Sequence, residues 1–233
     1  MKNLAIGFAS LRPHTLPEDV CDIREREYYV CMQQLVRVLP ESFDLLICEN
    51  TIDDPNEIKT QGLRDFLNET ELCATGSESN IGTSNKGLGE LLQLKTVLDQ
   101  TDIDKYENVC YITARRFYTC PYVFERTESL KKKALLSNPD FIFLDGRVLE
   151  SYKGPLYNDM FFSMKTKYMV EYAQYSMEQL NTNLSKHIGS EYNLYNFVQE
   201  NNIDYEWIDW LGIIRNAWEI SGNTSDLSNF HIS

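Results

Sequence analysis

The stretch NIGTSNKGLGELLQLKTVLDQTDIDKYENVCYITARRFY, residues 80–118, contains a glycine-rich loop, an amphipathic helix, a buried strand and a basic segment in succession. The leucines and valines between Leu88 and Leu98 recur at the 3.6-residue spacing of a helix face. Val109 to Ile112 is a short apolar run of the buried-strand type, and it stops abruptly at Thr113. Because ligands of open α/β sheets bind outside the carboxyl ends of the strands, this order predicts one wall of a ligand pocket.

Apolar runs elsewhere in the chain also turn polar at one end. Strands are predicted at residues 4–9, 43–50, 71–75, 140–147, 160–165 and 202–208, and helices at residues 18–39, 58–67, 126–136, 169–180 and 191–198. This alternation without a linker predicts an α/β fold, a single domain over residues 1–220 with a mainly parallel, Rossmann-like nucleotide-binding sheet flanked by helices. Residues 221–233 are predicted to form a polar C-terminal tail.

The composition is that of a globular protein, with 42% hydrophobic and 24% charged residues and no apolar run near the ~20 residues of a transmembrane helix. The formal net charge of −13 argues against nucleic acid or an anionic membrane as a partner. Six cysteines occur without a C-x-x-C pair, which predicts buried free thiols in a reducing compartment. We therefore expect a cytoplasmic protein with no nucleic-acid partner and no transmembrane segment.

Polar residues at the predicted strand ends are candidates for binding an anionic ligand. The glycine-rich loop offers backbone N–H groups at a helix start, where anions are favoured. The alternative is an ordinary N-cap, and neither G-x-G-x-x-G nor G-x-x-x-x-G-K-[ST] is present. Two consecutive arginines after a strand suit a charged, partly planar ligand such as a nucleotide sugar. The candidate donor-binding residues are Ser10, Arg12, Asn50, Asn80, Asn85, Lys86, Gly87, Thr113, Arg115 and Arg116.

Four segments occur in a suggestive order, namely SNKGLGE before a helix, YITARRFY at a strand end, NDMFFSMKTKYM, and SEYNLYNFV followed by NIDY. This order resembles small glycosyltransferases of the GT-A class, of the kind found in bacterial capsule or lipopolysaccharide loci and in large DNA viruses. The resemblance implies a GT-A sheet with a nucleotide-sugar donor at the carboxyl ends of the early strands. It also implies a glycan acceptor approached by the later half, in the cytoplasm or, for a virus, the host cytoplasm.

The sequence departs from the GT-A pattern at one important position. A typical member carries D-x-D at the strand end that here reads Thr113-Ala114-Arg115. The resemblance implies Mn²⁺ or Mg²⁺ as a cofactor, which Asp145 would hold as the candidate metal ligand, with Asp159 as a second possibility. The alternative is metal-independent transfer, in which an arginine at positions 115–116 neutralises the diphosphate.

Sugar transfer needs a carboxylate that removes the proton of the acceptor hydroxyl. Asp159 and Glu191 are the candidate catalytic bases because they precede elements of the acceptor half, although Asp159 also suits a capping or turn role. Two other classes stay open. One is a nucleotidyltransferase or sugar-modifying enzyme, which would share the sheet, and the other is a noncatalytic interaction module, against which the polar strand ends argue.

Overall fold

The computed structural model describes residues 1–74, 86–137, 157, 160–182, 190–208 and 210–214. The strands are β1 (Lys2–Ala9), β2 (Phe43–Glu49), β3 (Glu71–Ala74), β4 (Tyr106–Thr113), β5 (Phe117–Tyr118), β6 (Ala134–Ser137), β7 (Phe161–Lys165), β8 (Tyr205–Ile208) and β9 (Ile213–Ile214). The helices are α1 (Glu18–Val38), α2 (Gln61–Glu69), α3 (Lys86–Gln100), α4 (Tyr122–Glu128), α5 (Thr166–Thr182) and α6 (Ser190–Glu200).

Seven strands form one sheet in the order β3-β2-β1-β4-β7-β6-β8, and β5 pairs with β9 in a separate two-stranded sheet. Every neighbouring pair of the large sheet is parallel except those of β7, which runs antiparallel to β4 and β6. Six strands therefore end at one edge of the sheet, called here the carboxyl edge, and β7 begins there. The predicted mainly parallel α/β sheet is confirmed.

Helices cover both faces of this sheet. The large core cluster joins even-numbered β1 residues such as Ile6 to Leu94 of α3, Tyr172 of α5 and Phe197 of α6. The other face packs Ala5 and its neighbours against α1, α2 and α4. Because both faces are covered, the central strands are nearly continuous apolar runs, which is why the sequence identifies them.

A stack of three aromatic rings links the middle of the sheet. The Tyr111 ring lies 4.2 Å from the Phe8 ring and 4.7 Å from the Phe162 ring, measured between centroids. Each such pair is worth about 0.5–1.5 kcal/mol beyond the area it buries. The stack therefore fixes β1, β4 and β7 side by side, including the antiparallel strand.

The prediction of a helix at residues 126–136 is wrong. Helix α4 ends at Glu128, and Ala134–Ser137 is the fully buried strand β6. Residues 134–136 pair with β7 on one side and β8 on the other. Pairing with strands distant in the sequence, rather than local propensity, decides this segment.

Other boundaries differ less from the predictions. Helix α2 is shifted towards the C-terminus, since it spans Gln61–Glu69, and Ser190 is the first residue of α6 rather than a residue before it. The strand predicted at residues 140–147 lies outside the described residues. Residues 215–233, which include the predicted tail, also lie outside them.

The described cysteine side chains agree with the predicted free thiols. Cys21, Cys31, Cys48 and Cys110 are buried and free, and Cys120 is free and partly exposed. Burial raises the pKa of Cys31 and Cys110 to about 12, so both stay protonated. In the described part of the chain, no helix combines the length and hydropathy that crossing a membrane requires.

Candidate functional site

Two of the predicted donor-binding residues, Ser10 and Asn50, are hydrogen-bonded at the carboxyl edge, and a third, Thr113, ends the adjacent strand there. Ala9 lies opposite Glu49, and Phe8 lies opposite Thr113, so β1, β2 and β4 end level with one another. The Ser10 hydroxyl donates to Asn50 Oδ1 at 2.8 Å. Parallel pairing in this register therefore places Ser10, Asn50 and Thr113, from distant parts of the sequence, at the same edge of the sheet.

A buried carboxylate joins the turns that follow β1 and β2. Glu49 Oε2 accepts from Leu11 N at 3.0 Å, and Glu49 Oε1 accepts from Thr51 N at 2.6 Å and from the Thr51 hydroxyl. The Glu49 side chain is fully buried. Burial raises the pKa of Glu49 to about 6, although the hydrogen bonds from Thr51 and Leu11 oppose this rise.

The backbone N–H groups of residues 10–12, in the turn after β1, donate to acceptors within the protein. Ser10 N donates to Tyr28 Oη at 3.1 Å, Leu11 N to Glu49, and Arg12 N to Thr51 Oγ1 at 2.8 Å. An anion-binding turn would need such groups to point towards the ligand. The N–H groups of residues 10–12 are therefore not available to cradle a phosphate.

The Arg12 guanidinium lies against acidic residues of α1. Its Nη1 atom is 3.1 Å from Asp22 Oδ1 and also binds Glu25 Oε1, and its Nη2 atom is 3.6 Å from Glu18 Oε1. The other oxygen of Glu25 accepts from Lys59 N at 3.0 Å and Thr60 N at 2.8 Å. The charge of Arg12 is thus balanced locally, and its predicted donor-binding role stays a prediction.

Arg115 and Arg116 follow β4 in a tight turn, in which Arg116 N donates to Thr113 O at 3.0 Å. The Arg115 side chain is 28% exposed, and its Nε atom lies 3.8 Å from Glu27 Oε2. This separation is near the limit for an ion pair and longer than a normal charged hydrogen bond. Arg115 therefore offers a partly exposed positive charge beside the ends of β1 and β4.

Sequence reasoning missed Gln93, which sits among the leucines of α3. Gln93 is 1% exposed, and its Nε2 atom donates to Ala9 O at 3.0 Å and Cys48 O at 3.3 Å. The only signal in the sequence is an amide on the apolar face of a helix. Gln93 fixes α3 across the ends of β1 and β2.

Helix α3 begins at Lys86, followed by Gly87, and ends at Gln100, shortly before β4 starts at the opposite edge of the sheet. Its N-terminus therefore points towards the carboxyl edge, roughly 10 Å beyond Gln93 at a rise of about 1.5 Å per residue. A helix N-terminus attracts anions through its unpaired N–H groups and its dipole.

Of the two predicted catalytic bases, the structure describes only Glu191. It lies in the first turn of α6, and its backbone carbonyl accepts from Tyr157 N at 3.4 Å. Since α6 ends shortly before β8 begins, the first turn of α6 lies towards the carboxyl edge. Four predicted site residues lie outside the described residues: Asn80, Asn85, Asp145 and Asp159.

Among the described residues, no three His, Cys, Asp or Glu side chains are grouped as ligands for a metal ion. Thr113, Ala114 and Arg115 supply no carboxylate at the end of β4. The described side chains therefore do not fit a metal-diphosphate clasp at this strand end. The metal-binding role of Asp145 stays a prediction.

A pocket of about 350 Å³ lies at the opposite edge of the sheet, beside the first residue of β4, Tyr106, and the first residue of α5, Thr166. None of the predicted site residues lines it. Its position at the amino end of β4 separates it from the polar strand ends, so it forms no part of the candidate site.

No protein-family model matches the chain, and no curated protein sequence matches it significantly. Its structure is similar to a crystal structure assigned as a nucleotide-diphospho-sugar transferase from Desulfovibrio desulfuricans G20. The TM-score is 0.55 at 14% identity, covering 100% of this chain and 92% of that one. The chain has a GT-A-like fold.

Two further solved structures share the fold. Mouse xyloside xylosyltransferase 1 in its apo form has a TM-score of 0.51 at 9% identity, covering 89% of this chain and 84% of that one. The galactosyltransferase LgtC in complex with donor and acceptor sugar analogs has a TM-score of 0.51 at 12% identity. The match covers 87% of this chain and 72% of the LgtC chain. At these identities the similarity concerns the GT-A-like fold.

Proposed function

We propose that the protein is a glycosyltransferase that moves a sugar from a nucleotide-sugar donor to a hydroxyl of a glycan acceptor. The observation that supports this most is the Ser10–Asn50 hydrogen bond at the carboxyl edge, where the adjacent strand β4 ends at Thr113 and leads into Arg115. Ligands of open α/β sheets bind at this edge. The three similar structures carry glycosyltransferase or sugar-transferase names, and LgtC was solved with sugar analogs. The proposed setting is glycan biosynthesis in the cytoplasm.

In this proposal, two features receive the donor's diphosphate. Arg115 contributes a guanidinium on a side chain that is 28% exposed, with its Nε atom 3.8 Å from Glu27 Oε2. The N-terminus of α3, with Lys86 and Gly87, contributes backbone N–H groups and a favourable dipole. Residues 10–12 of the turn after β1 would border the donor without binding its phosphates through the backbone, since their N–H groups already have acceptors.

The proposed reaction forms a bond from the acceptor oxygen to the anomeric carbon and breaks the bond from that carbon to the diphosphate oxygen. The acceptor hydroxyl gives its proton to a carboxylate, for which Glu191 and Asp159 are the candidates. The electron pair of the broken bond stays on the nucleoside diphosphate. Arg115 stabilises the negative charge that develops there, as preorganised positive groups do in many transferases.

A panel of UDP-, GDP-, CMP- and dTDP-sugars, each tested with and without Mn²⁺, identifies the donor by thermal shift. A ligand at 100 times its dissociation constant stabilises a protein by about 2.7 kcal/mol, which for a chain of this size raises the melting temperature by about 5–10 °C. Nucleoside triphosphates in the same panel test for a nucleotidyltransferase. A protein stabilised by triphosphates and by no nucleotide sugar contradicts the proposal, and one stabilised by neither ligand class agrees with an interaction module.

Arg115→Met tests the diphosphate site directly. Loss of one charge-assisted hydrogen bond costs about 1.5–3 kcal/mol, so we expect the dissociation constant for the nucleoside diphosphate to rise roughly 10- to 150-fold. Arg126→Met is the matched control, because this variant also loses an ion pair, the 3.1 Å contact of Arg126 with Glu206. That pair lies at the start of β8, at the edge of the sheet opposite the carboxyl edge. Equal affinities in the two variants would contradict the role of Arg115.

The proposed base is tested by transfer rate. Either Asp159→Asn or Glu191→Gln is expected to lower kcat by about 100-fold or more, in line with the usual contribution of a general base. The assay is release of nucleoside diphosphate in the presence of acceptor. Wild-type rates in both variants would show that neither carboxylate is the base.

A further inference from the structure

Glu49 is unusual because a fully buried carboxylate stands at the end of a strand with three donors around it. The donors are Leu11 N, Thr51 N and the Thr51 hydroxyl. They come from two turns that are separated by about forty residues, and the two oxygens of Glu49 divide them between the turns. Glu49 therefore joins the turn after β1 to the turn after β2.

Thr51 extends this connection by one further bond. Its hydroxyl donates to Glu49 and accepts from Arg12 N at 2.8 Å. The path from Glu49 through Thr51 thus reaches a second N–H group of the turn after β1. Both Thr51 and Asn50, which binds Ser10, are almost fully buried, so water does not compete for these bonds.

A carboxylate suits this position better than an amide does. An ionised carboxylate only accepts hydrogen bonds, whereas a glutamine of the same shape carries an NH₂ group that would face a donor N–H. The chain keeps this carboxylate although burial raises its pKa to about 6, and the positive charge of Arg24 of α1 opposes this rise. Arg24 is itself engaged, since its Nε atom donates to Ser10 O at 2.6 Å.

We propose that Glu49 is a positioning residue, which holds the turns at residues 10–12 and 50–51 in the arrangement that receives the nucleotide-sugar donor. This inference rests on the proposed function. In this role Glu49 acts through Leu11 and Thr51 and does not itself contact the donor. Its loss raises the KM for the donor while kcat stays close to the wild-type value, because the reacting groups are held elsewhere.

Three variants separate positioning from a general loss of stability. Glu49→Gln replaces one acceptor oxygen by an NH₂ group, and Thr51→Val removes the hydroxyl; both keep the shape of the side chain. Thr51→Ser keeps the hydroxyl. Thr127→Val is the matched control, because the buried Thr127 hydroxyl binds Ser163 Oγ at 3.0 Å away from both turns. Donor KM and kcat are measured for all four with the nucleotide sugar that the panel identifies, well below each melting temperature.

We expect donor KM to rise about tenfold in Glu49→Gln and Thr51→Val, as for the loss of one buried hydrogen bond, with kcat within about threefold. Thr51→Ser and Thr127→Val are expected to keep the wild-type KM, although Thr127→Val melts at a lower temperature. A KM for Glu49→Gln that matches that of Thr127→Val would overturn the positioning role. If Glu49→Gln does not fold, Thr51→Val compared with Thr51→Ser decides the question.

Amide hydrogen exchange provides a readout that needs no donor. Exchange at residues 10–12 and 51 is expected to be about tenfold faster in Glu49→Gln and Thr51→Val than in the wild type, and unchanged in the two other variants. Unchanged exchange in Glu49→Gln overturns the inference even in an active enzyme. A wild-type protein that binds no nucleotide sugar instead overturns the proposed function, and the positioning role with it.

Discussion

Replacing Glu25 by glutamine should destabilise the protein far more than the same change at Glu18 of the same helix. Glu25 is fully buried, and one of its oxygens binds Arg12 while the other accepts from Lys59 N and Thr60 N at 3.0 and 2.8 Å. It therefore ties α1 to the turn after β1 and to the segment before α2. A glutamine oxygen serves only one of these two partners, so its NH₂ group faces a donor at the other.

The structure sets the size of this effect. Removing one member of a buried ion pair costs about 3–5 kcal/mol, and we take the lower end, about 3 kcal/mol. The reason is that Arg12 keeps Asp22 at 3.1 Å and its side chain is 16% exposed, which screens the remaining charge. For a domain of this size, about 3 kcal/mol lowers the melting temperature by about 6–12 °C.

Thermal unfolding followed by circular dichroism measures the difference, and urea unfolding gives the free energy. Glu18→Gln is the control because Glu18 also faces Arg12, at 3.6 Å, but is 70% exposed. We expect no measurable change in its melting temperature, since exposed ion pairs contribute little. Equal melting temperatures for the Glu25 and Glu18 variants would refute the reasoning that burial gives this carboxylate its structural role.

Two further predictions concern stability. Because the pKa of Glu49 is about 6 in the folded protein against an ordinary value of 4.5, the folded state binds its proton more tightly between these values. The stabilisation that protonation of Glu49 adds to the folded state is therefore full below about pH 4.5 and is lost above about pH 6, a decrease of about 2 kcal/mol in the free energy of unfolding. Urea unfolding of wild type and Glu49→Gln from pH 4 to 7 measures this, and a pH-independent difference between them would contradict the shift. Gly7→Ala is expected to cost about 1–3 kcal/mol by overpacking. Its new Cβ would lie 2.8 Å from Ile47 Cδ1 and 3.4 Å from Ala114 Cβ, and an unchanged urea midpoint would count against this close approach.

The sheet and its covering helices were predictable where local patterns suffice. Strands β1, β2 and β4 are buried on both faces, so each is a continuous apolar run that a sequence reveals. Strand β6 was not predictable, because it has four residues and follows three lysines. Its structure depends on pairing with β7 and β8, which lie far along the chain.

The candidate site was predictable in outline only. Ser10, Asn50, Thr113 and Arg115 stand out as polar residues at strand ends, and parallel strands bring such ends together. The ion-pair partners of Arg12 could not be predicted from the sequence, since Glu25 and Asp22 reach Arg12 only when α1 packs beside the turn after β1.

The sequence by itself therefore determined the α/β class, most helices and strands of the first half and the edge at which polar residues follow the strands, because apolar periodicity is a local property of the chain. Only the tertiary structure decided how Glu49, Glu25 and Gln93 are used. Each is a buried polar group that is stable only where several donors or acceptors converge on it. Those partners come from segments far apart in the sequence, so strand register and helix packing alone bring them within hydrogen-bonding distance.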